Sequence, residues 1–191
     1  MSRNKSRKML QHQADKESSE QQKMVAESSA DARLLTKVAE IYNWLDTQIC
    51  QNPDLAGVCN ACGRCCDFAA FDHRLFVTTP ELLYLAANLG AEKVRPMPAA
   101  QCPYNTSGKC SIYEYRFAGC RIFCCKGTPD FQNALSESAL RKFKNLCEQF
   151  QISYHYIDLP TALNNSFAGK KKAELKRKSL KTGDFEKNFE I

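Results

Sequence analysis

The sequence predicts a mainly α-helical fold, in which one small domain carries irregular cysteine-rich loops and both polar termini are disordered. Apolar residues recur every three or four positions along two long segments, which is typical of amphipathic helices. Eleven cysteines occur in 191 residues, and most of them fall in stretches without helical or strand periodicity. The two ends are polar and poor in the apolar residues that a core requires.

The first helix is predicted within residues 24–52, after a disordered polar N-terminus of residues 1–23. Its apolar stripe consists of Leu34, Val38, Ile41, Leu45 and Ile49. Asn52-Pro53 is expected to end the helix, because the residue before a proline disfavours helical geometry. This helix either packs on the domain that follows or binds a protein partner, and its Trp44 is expected at one of these contacts.

Residues 53–165 are predicted to form the cysteine-cluster domain, with two helices of its own. Thr79-Pro80-Glu81 and Thr128-Pro129-Asp130 combine a hydroxyl N-cap, a proline at N1 and an acid in the first turn. The first of these helices should end at Gly90. The second should reach about Phe150, with one apolar face formed by Leu135, Ala139, Phe143, Leu146 and Phe150. Cys147 beside that face is expected to be a small buried apolar residue.

Two further stretches are predicted as short extended segments. F-A-A-F-D-H-R-L-F-V-T-T should form one strand or a buried loop, and I-S-Y-H-Y-I-D a strand or an extended closing segment.

The net charge of +6 comes from the C-terminal tail, residues 166–191, which is predicted to be basic and flexible. From Lys170 to Lys181 there are six Lys, one Arg and one Glu, a balance of +6, so the rest of the chain is neutral. Any attraction to nucleic acid would belong to this tail. No aromatic residue lies between Lys170 and Lys181 for base stacking, so this partner is only weakly indicated.

A cytoplasmic location without a membrane segment is expected. No apolar run approaches the ~20 residues that span a bilayer, and no apolar segment follows the basic residues of the N-terminus. The cytosol keeps thiols reduced, so the dense cysteines favour metal binding or catalysis over disulfides.

The stretch C-N-A-C-G-R-C-C, from Cys59 to Cys66, carries the clearest chemistry. A C-x2-C spacing can direct two sulfurs at one metal, and Gly63 suits the tight turn that this requires. The third cysteine at the same spacing is similar to part of an iron–sulfur binding loop. The vicinal pair Cys65-Cys66 suits a site with more than one metal, or one ligand beside a second thiol. Thiolates favour zinc, copper(I) and iron–sulfur clusters.

Three segments together resemble the CxxCxxCC cysteine-cluster family, also called YkgJ-like: C-N-A-C-G-R-C-C, C-P-Y-N-T-S-G-K-C-S-I-Y-E-Y-R and A-G-C-R-I-F-C. The family is described as a zinc- or iron-chelating domain, and the resemblance covers about Cys59 to Cys125. It implies a metal-stapled domain with eight ligands: Cys59, Cys62, Cys65, Cys66, Cys102, Cys110, Cys120 and Cys124. Two departures are Phe117 where members often have proline, and the doublet Cys124-Cys125, which leaves open which of the two is a ligand. Cys50 is a further open candidate.

Two arginines and one histidine near the thiols in the sequence are expected to influence the site without binding the metal. Arg116 and Arg121 are expected to offset thiolate charge, and His73 is expected to be a polar surface residue or to support a ligand.

The function predicted is that of a metal-binding protein holding zinc or iron in a multi-cysteine thiolate cluster, with an iron–sulfur cluster as one form that the iron could take. Two alternatives stay open: an iron–sulfur redox protein or oxidoreductase component, and a zinc-stabilised adaptor contacting nucleic acid or the ribosome through the tail. No radical-SAM loop, dinucleotide motif, P-loop or catalytic triad is found, so no catalytic residue is assigned.

Overall fold

A computed structural model of the chain describes residues 29–70 and 73–165. The expected disordered N-terminus and basic tail lie outside these residues. The described part is mainly helical, which confirms the mainly α character of the predicted fold. No helix in this part of the chain is both long and apolar enough to cross a bilayer.

Six helices follow one another in the described part of the chain. Helix α1 covers residues 29–51, α2 Pro53–Ala56, α3 Thr79–Leu89, α4 Ala118–Ile122, α5 Pro129–Phe150 and α6 residues 159–165. Single 3₁₀ turns lie at Arg64–Cys66, Ala91–Lys93 and Tyr113–Tyr115.

Within residues 29–70 and 73–165, four short strands form two antiparallel pairs. Strand β1 (Phe76–Thr78) pairs with β4 (Tyr156–Asp158), so that Val77 faces Ile157 and a strand lies within each of the two predicted extended stretches. Strand β2 (Asn105–Thr106) pairs with β3 (Lys109–Cys110) in a tight hairpin. Ser107 and Gly108 in its turn both have positive φ, at 52° and 78°, which is the type I′ signature. The sequence reasoning missed this hairpin.

Helix ends mostly follow the local sequence signals. Asn52 separates α1 from α2, and Thr128 is the N-cap of α5, as predicted. The prediction that Thr79 caps α3 was wrong by one residue. Thr78 is the N-cap. The Glu81 carboxylate accepts a hydrogen bond from the Thr78 backbone amide, and the Thr78 side chain in turn lies at the backbone of Glu81, the third residue of the helix. This capping box is readable in T-T-P-E.

The core has two parts. One lies between α1, α4 and α5 and contains Leu34, Val38, Leu45 and Phe143 among its buried side chains. The other joins β1, α3, the cysteine segments and α6 through Val77, Leu85, Tyr104, Phe117 and Leu159. Helix α1 thus packs on the rest of the protein through its predicted stripe, and Cys147 is buried as expected.

Candidate metal centre

The first cysteine loop is shaped by one glycine. Gly63 has φ +68° and ψ 0°, the left-handed conformation that glycine adopts without a side-chain clash. The 3₁₀ turn Arg64–Cys66 follows it, and the Cys66 amide donates to the Gly63 carbonyl at 3.1 Å. Gly63 thus begins a tight turn that contains Cys65 and Cys66, as its place in the motif predicted.

Backbone pairing holds this loop against the second cysteine segment. The Cys102 amide donates to the Cys66 carbonyl at 2.8 Å, and the Asn105 side chain donates to the Gly63 carbonyl at 3.3 Å. Gly63 also meets the hairpin turn closely, since a Cβ placed on it would lie 2.4 Å from the Gly108 carbonyl oxygen. The two cysteine segments therefore meet backbone to backbone.

Strand β3 and helix α4 contribute two more cysteines. Cys110 ends the hairpin, and Cys120 lies in the middle of the five-residue α4. The Ala118 amide at the start of α4 donates to the buried Glu81 carboxylate at 2.7 Å. Glu81 therefore fixes the segment that presents Cys120, a part that the sequence reasoning did not assign to it.

Thiols from these segments act on one another's pKa values. The neighbouring Cys66 side chain and burial raise the pKa of Cys65. The neighbouring Cys102 side chain and burial raise the pKa of Cys66 to about 11. The Cys66 side chain and the Tyr104 backbone act in the opposite direction on Cys102 and lower its pKa, which favours its thiolate form.

The Cys110 and Cys120 thiols also interact electrostatically with members of this set. Burial raises the pKa of the Cys120 thiol, and the neighbouring Cys66, Cys110 and Cys65 raise it further. Cys110 acts in the same way on Cys66 and Cys102. We refer to Cys65, Cys66, Cys102, Cys110 and Cys120 as the five-thiol group.

The remaining cysteines lie outside this group. Cys59 and Cys62 are exposed, with the Ala61 amide 3.4 Å from the Cys59 sulfur, and Cys124 is buried. Cys50 and Cys125 are exposed, and none of the eleven cysteines forms a disulfide. Within residues 29–70 and 73–165, no three His, Cys, Asp or Glu side chains converge closely enough to hold a metal ion as they stand.

Charged and aromatic side chains surround the group. The Arg116 guanidinium partly offsets the rise in the pKa of Cys65, so this residue acts on a thiol as expected. Arg121 instead pairs with Asp46 at 2.7 Å and lies over the Tyr42 ring. The His73 ring lies 3.0 Å from the Cys65 carbonyl oxygen and stacks on Phe123, which places it against the first cysteine loop.

Neither protein-family models, curated proteins nor solved structures gave a match to this chain.

Proposed function

We propose that this chain is a metal-binding protein that holds zinc or iron through its clustered cysteines. The observation that supports this most is the five-thiol group, in which sulfurs from three separate segments influence one another. Apolar packing alone has no need of several thiols side by side. A soft metal cation is the ligand that such a donor set favours.

The sulfur donors of the five-thiol group suit a soft metal ion, although in their present positions they do not converge on one point. A cation would replace the thiol protons of Cys65 and Cys66, and the pKa of Cys102 is already lowered. The cysteine side chains would have to move to bind it, because within the described residues no three donors converge on one point. Cys59, Cys62 and Cys124 remain proposed additional ligands, on the resemblance to the YkgJ-like family.

An iron–sulfur or two-metal centre is the more specific form of this proposal. A single structural zinc uses four ligands, whereas the group offers five and includes the vicinal Cys65 and Cys66. A redox role would follow from an iron–sulfur cluster. Attachment to nucleic acid through Lys170 to Lys181 and a cytoplasmic location remain further proposals.

The test is metal and sulfide analysis of protein purified without oxygen, together with its visible spectrum. Iron with acid-labile sulfide and absorption near ~400 nm would support an iron–sulfur cluster, and about two zinc ions per colourless chain would support closed thiolate sites. Protein that binds neither metal at any site would refute the proposal.

Cysteine variants locate the centre. Cys102→Ala and Cys120→Ala should each lose most of the bound metal, because both thiols belong to the group. Cys147→Ala is the matched control, since Cys147 is 1% exposed in the helical core and lies outside the group. Equal metal content in all three variants would contradict the assignment.

A further inference from the structure

A cavity of about 460 Å³ lies between α1, α3, α4 and the 3₁₀ turn Tyr113–Tyr115. Its volume is within the range of sites that bind small molecules, which is roughly 300–1,000 Å³. The lining includes three tyrosines, Tyr42, Tyr84 and Tyr113, and two arginines, Arg116 and Arg121. Neither the sequence reasoning nor the proposed metal centre gives this cavity a role.

Arg121 is committed to the protein itself. Its side chain is 8% exposed, and it donates to the Asp46 carboxylate at 2.7 Å. It also donates to the backbone carbonyls of Glu114 and Arg116, at 2.6 and 3.0 Å. Arg121 therefore shapes the wall of the cavity and neutralises Asp46, and it is not the cation that a ligand would meet.

Arg116 is in the opposite situation. Its Nε is buried without a hydrogen-bond partner, and within the described residues its side chain forms no ion pair. Its guanidinium carbon lies 4.0 Å from the centre of the Tyr113 ring, which holds the group at the cavity. A buried donor on a cation is costly to leave unpaired, and a planar guanidinium matches a carboxylate in geometry.

The aromatic walls indicate what else the ligand carries. The Tyr42 and Tyr84 rings meet edge to face at 5.3 Å, and Tyr113 is 48% exposed. Such surfaces pack against a flat or apolar body. Glu114 also lines the cavity, and its negative charge disfavours a multiply charged anion.

We propose that this cavity binds a small aromatic monocarboxylate, with its carboxylate on Arg116 and its ring against the tyrosines. This site is additional to the metal centre, although the two share Arg116, whose guanidinium also acts on the Cys65 thiol.

The test is calorimetric titration of the full chain, as purified, with benzoate. Benzoate should bind saturably, and benzamide, its uncharged analogue, at least about tenfold more weakly. Arg116→Gln should weaken benzoate binding by about tenfold or more. Arg141→Gln is the matched control and should bind like the parent, because Arg141 is exposed on α5 and contacts Glu137 and Ser138.

Three outcomes would overturn the proposal: no saturable benzoate binding by the parent protein, equal binding of benzamide, or unchanged affinity in Arg116→Gln. A second measurement covers the case in which that variant does not fold. Benzoate added to the parent protein should shift the NMR signals of the Tyr84 and Tyr113 rings. Shifts confined to Trp44, which lines a separate groove with Lys142, would place the ligand elsewhere and refute the site.

Discussion

At the scale of single residues, the Glu81 carboxylate holds three parts of the chain together. It is 2% exposed and accepts from the Thr78 amide and hydroxyl, at 2.8 and 2.7 Å. It also accepts from the Ala118 amide at 2.7 Å and more weakly from the Tyr42 hydroxyl at 3.5 Å. One side chain therefore caps α3, fixes the start of α4 and contacts α1.

We expect Glu81→Gln to lower the free energy of unfolding by about 1–3 kcal/mol. The glutamine side chain would place an NH₂ group, itself a donor, where the N–H and O–H donors of Thr78 and Ala118 now meet a carboxylate oxygen. Urea unfolding at about pH 5 measures the effect. Glu137→Gln is the control, since Glu137 is 72% exposed beside Arg141, and it should change stability by less than about 0.5 kcal/mol. Equal effects of the two variants would show that the buried carboxylate contributes no more than a surface one.

The pH dependence of stability carries a second prediction. Burial raises the pKa of Glu81 above its usual 4.5, against the opposing effect of its hydrogen bonds. The folded state therefore favours the uncharged form, and the contribution of Glu81 is fully present below pH 4.5 and lost as the pH rises through the raised pKa. The stability difference between the parent protein and Glu81→Gln should shrink from pH 4.5 upward. A constant or growing difference in urea unfolding would contradict this.

At the scale of elements, the contact between the first cysteine loop and the β2–β3 hairpin offers a matched pair of glycines. Both have positive φ, 68° at Gly63 and 78° at Gly108. An added Cβ on Gly63 would lie 2.4 Å from a backbone oxygen, whereas on Gly108 the nearest atom lies 3.7 Å away.

Gly108→Ala should therefore cost only the backbone strain, about 1–2 kcal/mol. Gly63→Ala should cost more and also reduce the bound metal, because the loop must withdraw from the hairpin. Thermal unfolding and metal analysis of the two variants check this. Similar losses in both would mean that the close approach is unimportant.

The long helices were predictable because their signals are local. The buried residues of α5 recur at three- and four-residue spacing, and Thr128-Pro129 marks its start. The predicted N-cap of α3 was one residue too late. Thr79 directly precedes Pro80 and therefore resembled the N-cap, whereas in the structure Thr78 and Glu81 form the capping box. The hairpin was missed although Ser107-Gly108 is a turn signal, since its strands of two residues are too short to show alternation.

The membership of the five-thiol group was not predictable from spacing. Cys62 and Cys65 belong to the same motif, yet Cys62 lies outside the group, because the turn after Gly63 directs only the later residues toward Cys102. The contributions of Glu81 and Asn105 depend on contacts between distant segments, such as Asn105 with the Gly63 carbonyl, which no local pattern reports.

At the scale of the whole molecule, the two parts of the core differ in their relation to the cysteines. Cys102, Cys110 and Cys120 pack against the part that contains β1, α3 and α6. The part between α1, α4 and α5 is built from aliphatic and aromatic side chains such as Val38 and Phe143. A metal at the five-thiol group would therefore most directly stabilise the part of the core that contains β1, α3 and α6.

We expect removal of metal by a chelator to increase backbone hydrogen exchange mainly in β1, α3 and β4, because those elements share their core with the thiols. The amides of α5 and the buried face of α1 should keep more protection. Hydrogen exchange measured by mass spectrometry before and after chelation, with metal-reloaded protein as control, reports the pattern. A uniform loss of protection would indicate a single cooperative unit instead.

The separation of the thiols along the chain also has a consequence during synthesis. Cys66 precedes Cys120 by 54 residues, an interval of roughly 3–11 s at a translation rate of about 5–20 residues per second. Throughout that interval the first cysteine loop meets the metals and oxidants of the cell before α4 exists to complete the five-thiol group. The time at which α4 leaves the ribosome would therefore set the earliest moment at which the proposed metal centre can assemble.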